Sequence, residues 1–197
     1  PQEILVLFVA ICAAIQHAHD RGIIHRDIKP SNILVTMLSD KPTHKVIDFG
    51  IAKATQQRLT EKTLFTRFAH FIGTPAYTSP EQAALSALEV DTRTDIYSLG
   101  VLLYELLTGK TPFNTEKLLS AGYDEIRRTI REEEPVKPST RVSNELAVLS
   151  ETSESDASEE NGTWQGRPLT DRLSRIKHSV KFIKGDLDWI GMKALDK

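Results

Sequence analysis

Four groups of residues stand out for what their side chains could do together. His25-Arg26-Asp27-Ile28-Lys29-Pro30-Ser31-Asn32 places a carboxylate, an ammonium and an amide on one short stretch. Asp48-Phe49-Gly50 adds a second carboxylate. Gly73-Thr74-Pro75-Ala76-Tyr77-Thr78-Ser79-Pro80-Glu81 and Asp95-Ile96-Tyr97-Ser98-Leu99-Gly100 follow. A carboxylate can orient a hydroxyl and accept its proton. An ammonium puts positive charge beside a developing anion. Carboxylate and amide oxygens are hard donors for a divalent cation. Any one of these tripeptides is a weak signal, but four in this order, with Asp-x4-Asn spacing inside the first, are hard to obtain by chance.

The elements that must hold them can be read from periodicity. Residues 3–19 predict a helix that is apolar on most faces and therefore buried, with Gly22 ending it. Ile23-Ile24, Ile33-Leu34-Val35 and Lys45-Val46-Ile47 are short β-type runs around polar segments, which suggests small hairpins. Residues 51–80 contain no convincing core element, and a polar stretch of that length is more often functional than structural. The strongest helix is expected over 93–108, with a capping-box-like start at Thr92 and Asp95 and a stop at Gly109. A second is expected around 115–131, with Thr115 as cap and Glu132-Glu133-Glu134-Pro135 as its end. A last helix starts near Asp186, with Leu187, Ile190, Ala194 and Leu195 on one stripe.

Composition sets the frame. The chain has 197 residues, 40% of them hydrophobic and 26% charged, with a formal net charge of −2. That is ordinary for a globular protein and gives no bulk positive charge for nucleic acid. Cys12 is the single cysteine, so an intramolecular disulfide and a Cys-based zinc site are excluded. The apolar run Ile4 to Ile15 is short for a membrane span and has no basic residue before it, so a buried helix is the better reading. Both ends read as cut, and a piece of a longer protein is expected. Charge is unevenly spread: 143–162 sums to −6 and 163–184 to +5. The acidic, serine-rich part reads as mostly disordered and the pair as a surface insertion, more a solvated face than a docking site.

The four motifs together resemble the catalytic lobe of Ser/Thr protein kinases, with wording most similar to the bacterial eukaryotic-like members. The resemblance implies an α+β, mainly helical fold: a kinase-like large lobe with short β-hairpins at the catalytic loop and the small N-terminal lobe absent. It implies a lobe over 1–142, with catalytic loop 25–32 and activation segment 48–81. An insertion at 143–184 and a lobe helix at 185–197 complete the layout. ATP and Mg2+ are the implied cofactors. By resemblance, Asp27 orients the substrate hydroxyl and Lys29 reaches the γ-phosphate. Asn32 and Asp48 ligate the metal. His25 supports the loop, and Phe49 and Gly50 complete the second motif. Arg26 marks enzymes switched by a phosphorylated loop, for which Thr55, Thr60, Thr63 and Thr66 are acceptors between which nothing chooses. Thr74 resembles the threonine that contacts the catalytic Asp and Lys, and Asp95 the helix-start Asp that binds catalytic-loop amides.

Some positions depart from the family. Ser79 stands where Ala is usual, and Tyr97 where Trp is frequent. No Gly-x-Gly-x-x-Gly occurs, and the Arg that pairs with Glu81 in the family is not among the 197 residues. His17 and His19 sit two apart on different helix faces, unlike a metal pair. His19 reads instead as a buried partner of the catalytic-loop region. Cys12, Trp164 and Trp189 read as packing residues. The expected function is transfer of the ATP γ-phosphate to Ser/Thr hydroxyls of protein substrates by the full-length parent. A kinase-fold scaffold without activity is the alternative, and a small-molecule phosphotransferase of the aminoglycoside or choline type a more distant one. The expected partner is the missing lobe of the same chain, with no nucleic acid and no membrane contact in this segment. The expected location is the cytoplasm, with the parent anchored, if at all, outside these residues.

Overall fold

The apolar residues at the start of the chain form one continuous helix, α1, Gln2–His19, in the computed structural model. The structure describes residues 2–38, 41–49, 75–84, 90–120, 122–155, 163–164 and 167–196. By length and composition α1 could cross a membrane. Its Ile11, Ile15 and Ala18 are buried, Ile11 and Ile15 as part of the hydrophobic core. The expectation of burial on most faces is corrected: Val6 and Val9 are exposed.

After Gly22, whose φ of 71° suits a residue without Cβ, the chain runs through a loop to a 3-10 turn at Pro30–Asn32. Ile23-Ile24 stays in that loop and does not form a strand. Strands β1, Ile33–Leu38, and β2, Lys41–Val46, pair antiparallel, with Ile33 opposite Val46 and Leu38 opposite Lys41. The pairing extends one step further, because Ile47 N–H donates to Asn32 O at 2.9 Å. Residues 51–74, with Thr55, Thr60, Thr63, Thr66 and Thr74, lie outside the described residues, as does Gly50.

A 3-10 turn at Pro75–Tyr77 leads to α2, Pro80–Ala83. Helix α3, Thr92–Thr108, is the centre of the core, with Val101, Leu102, Leu103 and Tyr104 essentially sealed from water. Burying each such side chain is worth about 1.5–3 kcal/mol. Its N-cap is Asp91, which accepts from Arg93 N–H at 2.8 Å. The expected start at Thr92 is thus one residue late, since Thr92 already lies in the first turn. Gly109, at φ 73°, ends the helix as expected.

The single helix expected over 115–131 is two: α4, Thr115–Ser120, and α5, Tyr123–Glu132. Gly122 breaks them, taking an extended conformation as the N-cap of α5. The break lets Leu118 and the pair Ile126 and Ile130 each reach the core. Asn114, not Thr115, caps α4 by accepting Lys117 N–H at 3.0 Å.

The acidic stretch read as mostly disordered is helical in its first part: α6 spans Pro138–Ser155, and 156–162 lie outside the described residues. A minimal ladder of β3, Thr163–Trp164, and β4, Arg167–Pro168, precedes α7, Leu169–Ile183, which packs along α6. Val142 and Ile183 are buried. Asp188, at the start of α8, Asp186–Ala194, accepts both the N–H and the hydroxyl of Ser139 and so pins the first turn of α6. The buried face of α8 carries Asp188 and Gly191, and Leu195 just beyond its end is buried too. The expected apolar stripe is therefore rotated, and Ile190 is exposed. Trp189 is 68% exposed and is not a packing residue. Helix α8 lies so close to α3 that a Cβ on Gly100 would come within 2.8 Å of Ala194 Cβ.

Candidate active site

Helix α3 begins by presenting Asp95, a carboxylate with no exposed surface. A buried carboxylate is costly unless hydrogen-bonded. Here three donors surround it: His25 N–H at 2.8 Å, Arg26 N–H at 2.7 Å and His19 Nε2 at 2.8 Å. These bonds satisfy backbone amides that a turning loop cannot pair with itself. His19 thereby joins the C-terminus of α1 to the same anchor.

The loop that follows is strained and held. Arg26 has φ 66°, and Asp48 has φ 57°. Left-handed conformations of such residues cost about 1–3 kcal/mol and persist only where the surroundings over-determine them. His25 is fully buried between the two strained points. Its Nε2–H donates to Ile47 O at 3.0 Å, and its Nδ1 accepts Asp27 N–H at 3.3 Å. The Phe49 ring packs against it with centroids 4.5 Å apart. Burial holds the imidazole below its ordinary pKa of 6.5, with the Ile47 carbonyl opposing. The neutral ring, protonated on Nε2, fits both hydrogen bonds.

On this support the polar side chains converge. Lys29 Nζ lies 3.0 Å from Asp27 Oδ2. Asn32 is buried and donates through Nδ2 to Asp27 O at 2.8 Å and to Asp27 Oδ2 at 3.1 Å. Asp48 is exposed and follows Ile47, whose N–H and C=O are tied to Asn32 and His25. Asp48 therefore sits one residue past the strand pairing that ends at Asn32.

The donor set fits a hard cation shared with a ligand. Asn32 commits its Nδ2 to Asp27, which leaves the amide oxygen as its donor. Asp48 supplies a carboxylate. Among the described residues no group of three or more His, Cys, Asp or Glu could hold a metal. Further ligands would have to be phosphate oxygens and water. His17 is turned away, its Nδ1 3.1 Å from an Arg21 nitrogen.

Around the site, Glu81 accepts the Thr94 hydroxyl at the start of α3. Burial, and secondarily the Glu81 charge, raise the pKa of the Tyr97 hydroxyl. The Ser98 hydroxyl donates to Tyr77 O at 3.0 Å. Ser79, the departure from Ala, is buried and caps α2 in a capping box with Gln82. Gln82 Nε2 also donates to Arg26 O at 2.9 Å. Gln82 and Thr94 escape a reading of the motifs. The one local signal is the Ser-x-x-Gln spacing from Ser79, which marks a helix start but says nothing of Arg26.

The protein kinase domain family matches residues 1–160. The chain is similar to the Ser/Thr protein kinase PknB of Mycobacterium leprae, 43% identical over 141 residues, covering 72% of this chain and 20% of that protein. It is 42% identical over 141 residues to PknB of Mycobacterium tuberculosis, with the same coverage. It is 39% identical over 144 residues to a probable Ser/Thr protein kinase of Corynebacterium efficiens, covering 73% of this chain and 20% of that one. The chain thus spans about a fifth of the length of these relatives. A solved twitchin kinase region from C. elegans covers 98% of this chain and 34% of its own at 22% identity, with a TM-score of 0.49. The family match over most of the chain and the bacterial relatives agree with the motifs: the chain belongs to the protein kinase family, and its relatives are Ser/Thr kinases of the PknB type.

Proposed function

We propose that these residues form the large lobe of a Ser/Thr protein kinase, which transfers the γ-phosphoryl group of ATP to a Ser or Thr hydroxyl of a protein. The observation that carries this is the convergence of Lys29 and Asn32 on Asp27, with Asp48 following Ile47, which pairs with Asn32. Phosphoryl transfer asks a protein for position and charge more than for covalent chemistry. Asp27 would orient the acceptor hydroxyl and take its proton as the new O–P bond forms and ADP leaves. Lys29 would stay paired with Asp27 until the γ-phosphate arrives, then offer it positive charge. Asn32 Oδ1 and the Asp48 carboxylate would hold Mg2+, which when bound neutralises charge on the phosphate oxygens. The left-handed Arg26 and Asp48 would hold the two carboxylates in place before substrate binds, leaving little reorganisation for the reaction.

No Gly-x-Gly-x-x-Gly loop of an ATP-roofing lobe occurs in the 197 residues. On this reading the complete protein supplies it, and the reaction is cytoplasmic, where ATP is abundant. The test is a transfer assay on the complete protein with Mg2+, radiolabelled ATP and a generic basic protein. Phosphoserine or phosphothreonine in the acceptor supports the reading. A wild type that hydrolyses no ATP and labels no protein overturns it in favour of a scaffold. Labelling of aminoglycosides or choline instead of protein also overturns it.

A further inference from the structure

We infer that Gln82 is a positioning residue for Asp27, clamping the catalytic loop from the end of the activation segment. The inference deepens the kinase reading above and rests on it. Arg26 is the last residue before Asp27, and its left-handed φ of 66° needs outside support. Asp95 Oδ1 takes its N–H at 2.7 Å, and Gln82 Nε2 donates to its C=O at 2.9 Å. The peptide that leads directly into Asp27 is thus fixed through its carbonyl by Gln82. The N–H of the same peptide donates to His25 Nδ1 at a long 3.3 Å. Of the two, the Gln82 bond has the better geometry.

The other end of the Gln82 amide is also committed. Its Oε1 accepts Ser79 N–H at 3.1 Å, while Gln82 N–H donates to Ser79 Oγ at 3.4 Å. One side chain therefore caps α2 and grips the catalytic loop. Helix α2 has only four residues and leans on its cap and on packing with α5. If α2 unseats, Gln82 withdraws and the Arg26–Asp27 peptide is free to turn. A rotation there moves the Asp27 carboxylate away from the Lys29 and Asn32 geometry. Seating of the segment end would thus be transmitted to the reacting carboxylate by one amide.

The two bonds can be separated in the complete protein. Gln82→Glu keeps an acceptor for Ser79 N–H, and Glu is an ordinary capping-box residue. Its carboxylate has no proton to give and repels the Arg26 carbonyl. Gln82→Met removes both bonds at similar volume without adding a charge. For Gln82→Glu, kcat should fall about tenfold or more. The KM for ATP should stay within about twofold and the melting temperature within about 2 °C, as for a residue that acts on position and not on binding. Amide exchange over 24–32 should quicken. If Gln82→Glu does not fold, Gln82→Met carries the same kcat and exchange readings. A kcat within twofold of wild type overturns the inference, as does a loss matched by an equal rise in the KM for ATP. Should the wild type transfer no phosphate, the kinase reading has failed and exchange alone judges Gln82: unchanged exchange over 24–32 then overturns the clamp.

Discussion

Asp95 Oδ2 accepts the backbone N–H of His25 at 2.8 Å, binding the first turn of α3 to the start of the 25–32 loop seventy residues earlier in the chain. The same carboxylate takes Arg26 N–H and His19 Nε2, so α1, the loop and α3 meet at one buried charge. His25 then passes the constraint onward to Ile47 and Phe49, next to Asp48. The two carboxylates that would serve catalysis are therefore placed by one anchored network.

Replacing that anchor should be costly. Asp95→Ala leaves the His25 and Arg26 amides and the His19 ring without their acceptor in a dry site. Each unsatisfied buried donor costs about 1–3 kcal/mol. A loss of about 3 kcal/mol or more in urea unfolding is expected. A loss below 1 kcal/mol would show that water or another group replaces the carboxylate.

Asp27→Asn in the complete protein tests the proposed role of Asp27 with little change in shape. The amide can still touch the hydroxyl but is a poor proton acceptor. Loss of a positioned acid–base group costs about 10²–10⁴ in rate. The expected outcome is a kcat lower by that order with ATP binding retained, read by steady-state kinetics and nucleotide titration. An unchanged kcat would remove Asp27 from the chemistry.

The buried His25 gives stability a pH dependence of known sign. Its folded pKa lies below its ordinary 6.5 because burial disfavours the cation. Between the two values the unfolded chain binds more protons than the folded one. Its contribution is therefore complete above about pH 6.5 and is lost as pH falls through the window below, by up to about 1.4 kcal/mol per pH unit. Chemical denaturation from pH 7 to pH 5 should show this slope, and His25→Asn should lack it. Equal slopes in the two proteins would assign the effect to carboxylates elsewhere.

Gly100→Ala weighs two opposed effects. Alanine gains about 1 kcal/mol of helix propensity over glycine. The added Cβ would sit 2.8 Å from Ala194 Cβ and 3.3 Å from the Ala194 carbonyl carbon, an overpacking that costs about 1–3 kcal/mol. The clash should win, lowering stability by about 1 kcal/mol. Ala194→Gly in the same chain should recover most of the loss. Additive effects in the double-mutant cycle would show that α3 and α8 separate freely.

The parts legible in advance were those in which chemistry is local. His25 to Asn32 is contiguous and could be picked out by residue types and spacing, whereas Asp95, whose partners lie 69 to 76 residues away, was placed only through the resemblance to protein kinases. Gln82 and Asp188 could not be placed, because their partners lie 56 and 49 residues away and each looks like any polar helix residue. Helix α6 was hidden for a related reason. Its serines and acids argue for solvent, and what holds it is tertiary: α7 along its side and Asp188 at its start. Gly122 was a visible breaker inside an otherwise helical pattern, outweighed on paper by periodic Leu118, Ile126 and Ile130 that prove to belong to two helices. Trp189 shows the converse error, since a large aromatic residue is a packing residue only if its helix turns that way.

Asp188→Ala tests whether the acidic helix depends on that distant cap. Asp188 accepts Ser139 N–H at 2.9 Å and the Ser139 hydroxyl as well, in a setting that is almost fully buried. A side-chain cap contributes about 1 kcal/mol to a helix N-terminus, and stranding a buried N–H adds about 1–3 kcal/mol. The substitution should destabilise the chain by about 2 kcal/mol or more. Because α6 leans on α7 and α8, exchange protection should drop first over 138–150 while the loop at 25–32 stays protected. Simultaneous loss in both regions would mean instead that α6 and the core around α3 unfold as one cooperative unit.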